Sequence, residues 1–177
     1  DARFSLFTSG LNAVVWVPLG WGLGREVVAL WGWVEWGFVA ASALLHVFYF
    51  IILLRGYRVA DLTVVYPLAR GSGPLLSSLV AVLFLGEHLS ALGAFGIAGV
   101  VAGVFLIAGG PAMLRTATQG GSGEKRERTI KGLYYGLLTG VFIAAYTVVD
   151  SYAVKVLLMS PILLDYMGNL LRCVVLA

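Results

Sequence analysis

The chemistry available to this chain lies in polar side chains set into apolar stretches at helical spacing. Glu35, Ser42, His46 and Tyr49 stand seven, four and three residues apart, which puts them on one face of a helix. Tyr66, Arg70 and Ser77 follow at four and seven, and Tyr135, Thr139, Tyr146 and Asp150 at four, seven and four. Asp165, Asn169 and Arg172 repeat the pattern, and Ser5, Thr8, Asn12 and Trp16 make a milder stripe. Residues of these types, at membrane depth, face a bundle interior or a watery cavity and are suited to holding a polar solute. His46, Tyr49, Tyr66, Arg70, Thr139 and Tyr146 are the predicted substrate-binding residues, with Arg70 against an anionic or carboxylate group. The imidazole range also permits His46, or a carboxyl at Glu35, to carry a coupling proton. No catalytic residue is predicted, because no paired-acid motif or nucleophile–base–acid arrangement stands out. No metal site is predicted either: the histidines are His46 and His88, and neither has a ligand-like neighbour pattern. Cys173 is the single cysteine, so no internal disulfide can form. No cofactor and no nucleic-acid partner are expected.

The elements that must position these groups follow from composition. Of the 177 residues, 60% are hydrophobic and only 12% charged, and the mean hydropathy is +0.94. A water-soluble domain carries about a quarter charged residues. A fold this apolar would have nothing left to face water, whereas lipid accepts an apolar exterior. Six stretches approach the roughly 20 apolar residues that a spanning helix needs: Phe4–Gly24, Trp31–Leu54, Leu62–Leu85, Leu89–Gly110, Gly132–Val154, and one that begins at Pro161 and runs to the end of the sequence. The expected fold is therefore all-α, a polytopic transmembrane bundle of about six helices. The chain starts with Asp1 and stops inside the apolar run Val174-Val175-Leu176-Ala177, and it reads as an interior piece of a longer protein.

Connections between the stretches are short, as in antiparallel bundles. The exception is Pro111–Lys131, where Gln119-Gly120-Gly121-Ser122-Gly123 precedes the charge run Glu124-Lys125-Arg126-Glu127-Arg128. Gly/Ser content followed by charge predicts a flexible linker, dividing residues 1–110 from 132–177. Counting crossings places Arg3, Arg55, Arg58, Arg115, Lys125, Arg126, Arg128 and Lys131 on one side and only Arg25 and Lys155 on the other. The positive-inside rule would make the richer side cytoplasmic. Trp31, Trp33 and Trp36 suit an interfacial belt. Nine residues of helix put His46 about 13 Å in from Arg55, and Arg70 about as far from Asp61. His46 and Arg70 are therefore expected level with each other, both facing the interior, with Thr139 nearby. Glu35, Asp150 and Asp165 fall near an interface and read as solvated helix ends. The fourth stretch has no polar seam but carries Gly93, Gly96, Gly99 and Gly103, which read as a close-packing surface, and a homodimer could form through this helix, residues 89–110.

The third stretch holds Tyr66-Pro67-Leu68-Ala69-Arg70-Gly71-Ser72-Gly73-Pro74. Pro67 and Pro74 each delete a backbone donor, and Gly71 and Gly73 loosen the chain between them. A broken helix is predicted here, a feature of transporters with midplane polar groups, and the new helix start beside Arg70 would suit an anion.

That segment, together with Leu53-Leu54-Arg55-Gly56-Tyr57-Arg58-Val59-Ala60-Asp61 before it, Leu85-Gly86-Glu87 after it, and the restart from Gly136-Leu137-Leu138-Thr139-Gly140 to Ala145-Tyr146-Thr147-Val148-Val149-Asp150, resembles the EamA-type transporters of the drug/metabolite transporter superfamily. The resemblance covers nearly the whole chain and rests on order and spacing rather than on one specific motif. It implies ten helices in two inverted five-helix repeats around a central substrate cavity. On that mapping, residues 1–110 hold helices two to five of the first repeat, 111–131 the linker, and 132–177 the truncated start of the second. It further implies a secondary transporter of small metabolites working by alternating access, an exporter, in a bacterial-type inner membrane. The family is drawn with both ends cytoplasmic, which sets the linker outside, against the charge count, so orientation stays open. The rivals from other classes are an intramembrane enzyme acting on a lipid-linked substrate and a membrane subunit that transports nothing.

Overall fold

The computed structural model describes residues 10, 11, 14, 18, 22, 24–84, 86, 88–120 and 123–176. Among them every regular element is helical and no strand occurs. Residues 24–29 are helical, followed by α1 (Trp33–Val59), α2 (Leu62–Phe84), α3 (Ala91–Ile107), α4 (Gly110–Arg115), a π-helical turn (Thr116–Gly120), α5 (Gly123–Lys155) and α6 (Pro161–Leu176). Two helices, α1 and α5, are long and apolar enough to cross a membrane. A third crossing is reached only if α3 and the bent segment after it count as one span. The Ser5, Thr8, Asn12 and Trp16 stripe lies outside the described residues.

The chain divides into two compact units, residues 1–47 with 149–177 and residues 48–148, so the division falls within α1 and within α5. In the first unit, Val39, Ala153, Met159 and Leu164 form a buried cluster, lined by Trp31, Phe38, Val154, Leu157 and Met167. Phe38 stacks on Tyr152 with ring centres 5.5 Å apart and planes 7° from parallel. The side chain of Leu163 occupies the space a Cβ would take at Gly24, which seats the 24–29 helix on α6. The turn into α6 is closed by Met159 N–H donating to the Ala153 carbonyl, 3.1 Å, with Leu158 left-handed at φ 53.

In the second unit, α2 and α5 meet along a seam of glycines. Gly132, Gly136 and Gly140, four apart on α5, face Val64, Leu68 and Ser72, four apart on α2. A Cβ at Gly136 would lie 2.8 Å from Leu68 Cβ and 3.2 Å from the Val65 carbonyl oxygen, and one at Gly140 would overlap Ser72. Small residues at this spacing let two backbones approach, and in lipid such packing replaces the water-driven burial of soluble cores. Leu53, Ala60, Val65 and Ala69 make one buried cluster here, and Val64, Ala108 and Met113 another.

Four expectations are corrected. First, α2 is one continuous helix through Pro67 and Pro74, not a broken one. Its glycines serve close packing rather than loosening: Val104 of α3 fills the Cβ space of Gly71, and Ile143 of α5 that of Gly73. Neighbouring helices hold a proline-containing span together in this way. Second, the bend lies later in the chain. Gly109 (φ 108) and Gly110 (φ 53) are both left-handed, and the axis turns by 60° between Ala91–Ile107 and Gly110–Thr118. Third, the predicted flexible linker is largely helical. Thr116 and Thr118 donate to the carbonyls of Ala112 and Leu114 (3.0 and 2.8 Å), and Arg126 Nε donates to the Ala117 carbonyl (3.0 Å). Residues 123–131 form the opening turns of α5, exposed except for Thr129. Fourth, among the described residues, Gly96, Gly99 and Gly103 of α3 have no atom within 4 Å of where a Cβ would stand, and Gly93 meets only its neighbours Leu89 and Ser90. That helix packs through Val104 and Phe105, and its glycine stripe meets no other described helix. Ser90 caps it by accepting from Gly93 N–H at 3.1 Å.

Candidate functional site

The first unit gathers polar groups from three helices. Ser42 and His46 come one turn apart from α1, Asp150 from α5, and Asp165, Asn169 and Arg172 from one face of α6. His46 Nδ1 lies 2.9 Å from the Ser42 carbonyl oxygen and 3.4 Å from its hydroxyl. The Ser42 hydroxyl is close enough to the Asp150 carboxyl to act on it electrostatically. Ser42 and Asn169 are buried, and His46 and Asp150 partly so. Arg172 and Asp165 pair at 3.3 Å across two turns of α6, the guanidinium 16% and the carboxylate 71% exposed, and both are close enough to act electrostatically on His46 and on Asp150.

Asp150 is the group most in need of a partner. Its Oδ1 is buried and has no hydrogen-bond partner among the described residues. An orphaned buried acceptor costs about 1–3 kcal/mol, and more if charged. Such atoms in native structures usually have a functional reason or an unseen partner. Sequence reasoning treated Asp150 and Asp165 as solvated helix ends. For Asp150 this is corrected: it lies five residues inside the end of α5, and α1 supplies Ser42 against it. The signal was present in the stripe ending Tyr146-Asp150, but position alone argued for an end. Glu35 does behave as a helix end, its carboxylate accepting from Gly32 N–H at 2.8 Å at the start of α1.

Serine, histidine and aspartate together invite comparison with a hydrolytic triad, but the bonding order is wrong for one. In a triad the acid orients the imidazole, and the imidazole takes the serine proton. Here the imidazole Nδ1 sits closest to the serine's own backbone carbonyl, 2.9 Å against 3.4 Å to the hydroxyl, and the acid's buried Oδ1 bonds neither residue. The arrangement can hold a polar or charged solute: one carboxyl, one imidazole, one hydroxyl and one largely buried guanidinium converge. Among the described residues no group of three His, Cys, Asp or Glu side chains could hold a metal ion.

The other sequence-predicted residues lie in the second unit. Tyr49 and Tyr146 pack against each other with ring centres 5.6 Å apart and planes tilted by 49°. Tyr66 and Arg70 also pair, the guanidinium carbon 5.8 Å from the ring centre. Both are exposed, which corrects the expectation that Arg70 faces the interior. Thr139 is fully buried, and its hydroxyl donates to the Tyr135 carbonyl of its own helix at 2.7 Å, so it packs the helix contact instead of lining a cavity. Arg172, the cation that does reach a polar cluster, was visible in sequence only as the third member of the last stripe.

Comparison of the chain with known protein families, with curated proteins and with solved structures finds no match.

Proposed function

We propose that this chain is part of a secondary membrane transporter of small polar metabolites, an exporter of EamA type working by alternating access in an inner membrane. The observation that carries the reading is the cluster of Ser42, His46, Asp150, Asp165 and Arg172, the first three on helices long and apolar enough to cross a membrane. A charged side chain at the centre of a spanning helix costs roughly 2.5–3.5 kcal/mol on insertion scales. Such groups are tolerated where a wet or protein-walled interior receives them, and in membrane proteins they mark solute or ion paths. In this reading the chain contributes about six helices to a ten-helix inverted-repeat protein, and His46, Asp150 and Arg172 contact the solute. Within the second unit, Tyr49 and Tyr146 offer aromatic surface, and the exposed Arg70–Tyr66 pair offers a contact for an anionic or carboxylate group. The open glycine stripe of α3 supplies a surface for a homodimer.

The test is export from cells that overproduce the whole protein. Their medium is expected to become enriched in at least one small polar metabolite. Asp150→Asn and Arg172→Gln are each expected to remove the enrichment at unchanged abundance in the membrane, and Arg70→Ala to reduce it. Failure to enrich any solute, or enrichment that survives both of the first two substitutions, would overturn the reading.

A further inference from the structure

A second candidate site lies in the other unit, and none of its lining residues is assigned to the solute above. Where the C-terminal turns of α1 meet the first apolar turns of α5, a cavity of about 490 Å³ is lined by Arg55, Val59, Ile130, Lys131, Tyr134 and Tyr135. Its composition is divided. Arg55 and Lys131 bring two cations, while Val59, Ile130 and the tyrosine rings make the remaining walls apolar or amphipathic. Arg55 has no ion-pair partner among the described residues. Lys131 pairs with Glu127 at 2.5 Å, but both ends are exposed, at 45% and 64%. An exposed pair of this kind contributes little and can be exchanged for another anion. The tyrosine rings pack edge to face, 5.3 Å between centres.

The position of the cavity narrows its ligand. It sits at the same end of the only two described helices that individually suffice to cross a membrane, and there the apolar run gives way to the charges of residues 124–131. This is the level of lipid headgroups, where tyrosine is enriched and basic pockets between helices take anionic lipid heads. We propose that this cavity binds an anionic phospholipid, with its phosphate between Arg55 and Lys131 and the start of an acyl chain along Val59, Ile130 and Tyr134. A free phosphate uses the two cations but leaves the apolar wall uncovered. A zwitterionic lipid covers the wall but brings its own cation against Arg55 and Lys131. The site holds whether or not the protein transports a solute, because it draws on neither the His46–Asp150 cluster nor Arg70.

The experiment uses the whole protein in detergent micelles, titrated separately with phosphatidylglycerol and phosphatidylcholine. Bound lipid is counted by native mass spectrometry, and thermal stability is followed in parallel. Phosphatidylglycerol is expected to bind about tenfold more tightly than phosphatidylcholine, in line with two favourable cations near an anionic head. The double substitution Arg55→Gln with Lys131→Gln is expected to abolish that preference. The control Lys125→Gln with Arg128→Gln removes equal charge outside the cavity and is expected to leave it within twofold. All four residues are exposed, so both doubles are expected to fold, and an unchanged melting point without lipid verifies it. Equal loss in both doubles would overturn the site in favour of a diffuse surface field. Complete displacement of phosphatidylglycerol by inorganic phosphate would overturn the lipid in favour of a free-anion site.

Discussion

At Ser42 a single hydroxyl stands beside an imidazole and acts on a carboxyl. Asp150 Oδ1 is buried with no partner among the described residues, and Ser42 is a polar group near enough to affect that carboxyl. Ser42→Ala would remove it, and is expected to destabilise the protein by about 1 kcal/mol. Thermal unfolding in detergent measures this, and Ser42→Thr, which keeps the hydroxyl, is expected to restore most of the loss. Leu158 makes the opposite prediction. It closes the α5–α6 turn with φ 53 although it carries a branched side chain that is 83% exposed. Glycine is the usual residue at such a helix end, because a Cβ crowds the following carbonyl there. Leu158→Gly is expected to stabilise by about 1 kcal/mol. A lowered melting temperature would show that the leucine side chain contributes more than its backbone costs, as an anchor at the membrane boundary would.

The two glycine-bearing helices behave differently because only one of them has a neighbour in the described structure. Gly132, Gly136 and Gly140 lie where α5 meets α2, so Gly136→Val drives a side chain into Leu68 and the Val65 carbonyl. Overpacking of this kind costs about 1–3 kcal/mol. Gly99 of α3 meets no atom of the described residues within 4 Å of where its Cβ would stand. Gly99→Ala is expected to be neutral or to stabilise by up to about 1 kcal/mol, since glycine in a helix interior is entropically unfavourable. Paired denaturation of the two variants checks the contrast. If α3 forms the homodimer interface, Gly99→Leu is expected to shift the protein towards monomer in cross-linking while leaving its melting point nearly unchanged.

At the scale of the molecule, α5 sets the topology. Its 33 residues extend about 50 Å, well beyond a hydrocarbon core of about 30 Å. The surplus is the polar opening 123–131, so a single crossing by this helix is expected to leave its first turns in water. In a background of Cys173→Ser, cysteines at Lys125 and at Lys155 are expected to react with impermeant thiol reagents from opposite faces of sealed vesicles. Labelling of both from one face would rule out α5 as a crossing helix. The face that labels Lys125 also decides between the two orientations, since Arg55, Arg58 and Arg115 are counted on the same side.

Composition and periodicity sufficed for the all-helical fold, for the apolar character of Trp33–Val59 and Gly123–Lys155, and for the polar faces that carry His46, Asp150 and Arg172. These are local properties: a run of apolar side chains needs lipid, and a 3.6-residue period assigns a face whatever the neighbours do. Tertiary structure alone decided what each face meets. Pro67 and Pro74 predict a break when α2 is considered in isolation, yet α3 and α5 press on Gly71 and Gly73 and the helix continues. Glycines repeating at three or four residues became a tight contact on α5 and, among the described residues, an unpartnered stripe on α3, because the ridge of Val64, Leu68 and Ser72 reaches only one of them. Thr139 and Asp150 share a sequence stripe, but the threonine bonds its own helix, whereas the aspartate meets Ser42 across a helix contact. A spacing says which side chains can act together; only a neighbouring helix, by filling or failing to fill the space opposite, determines whether they do.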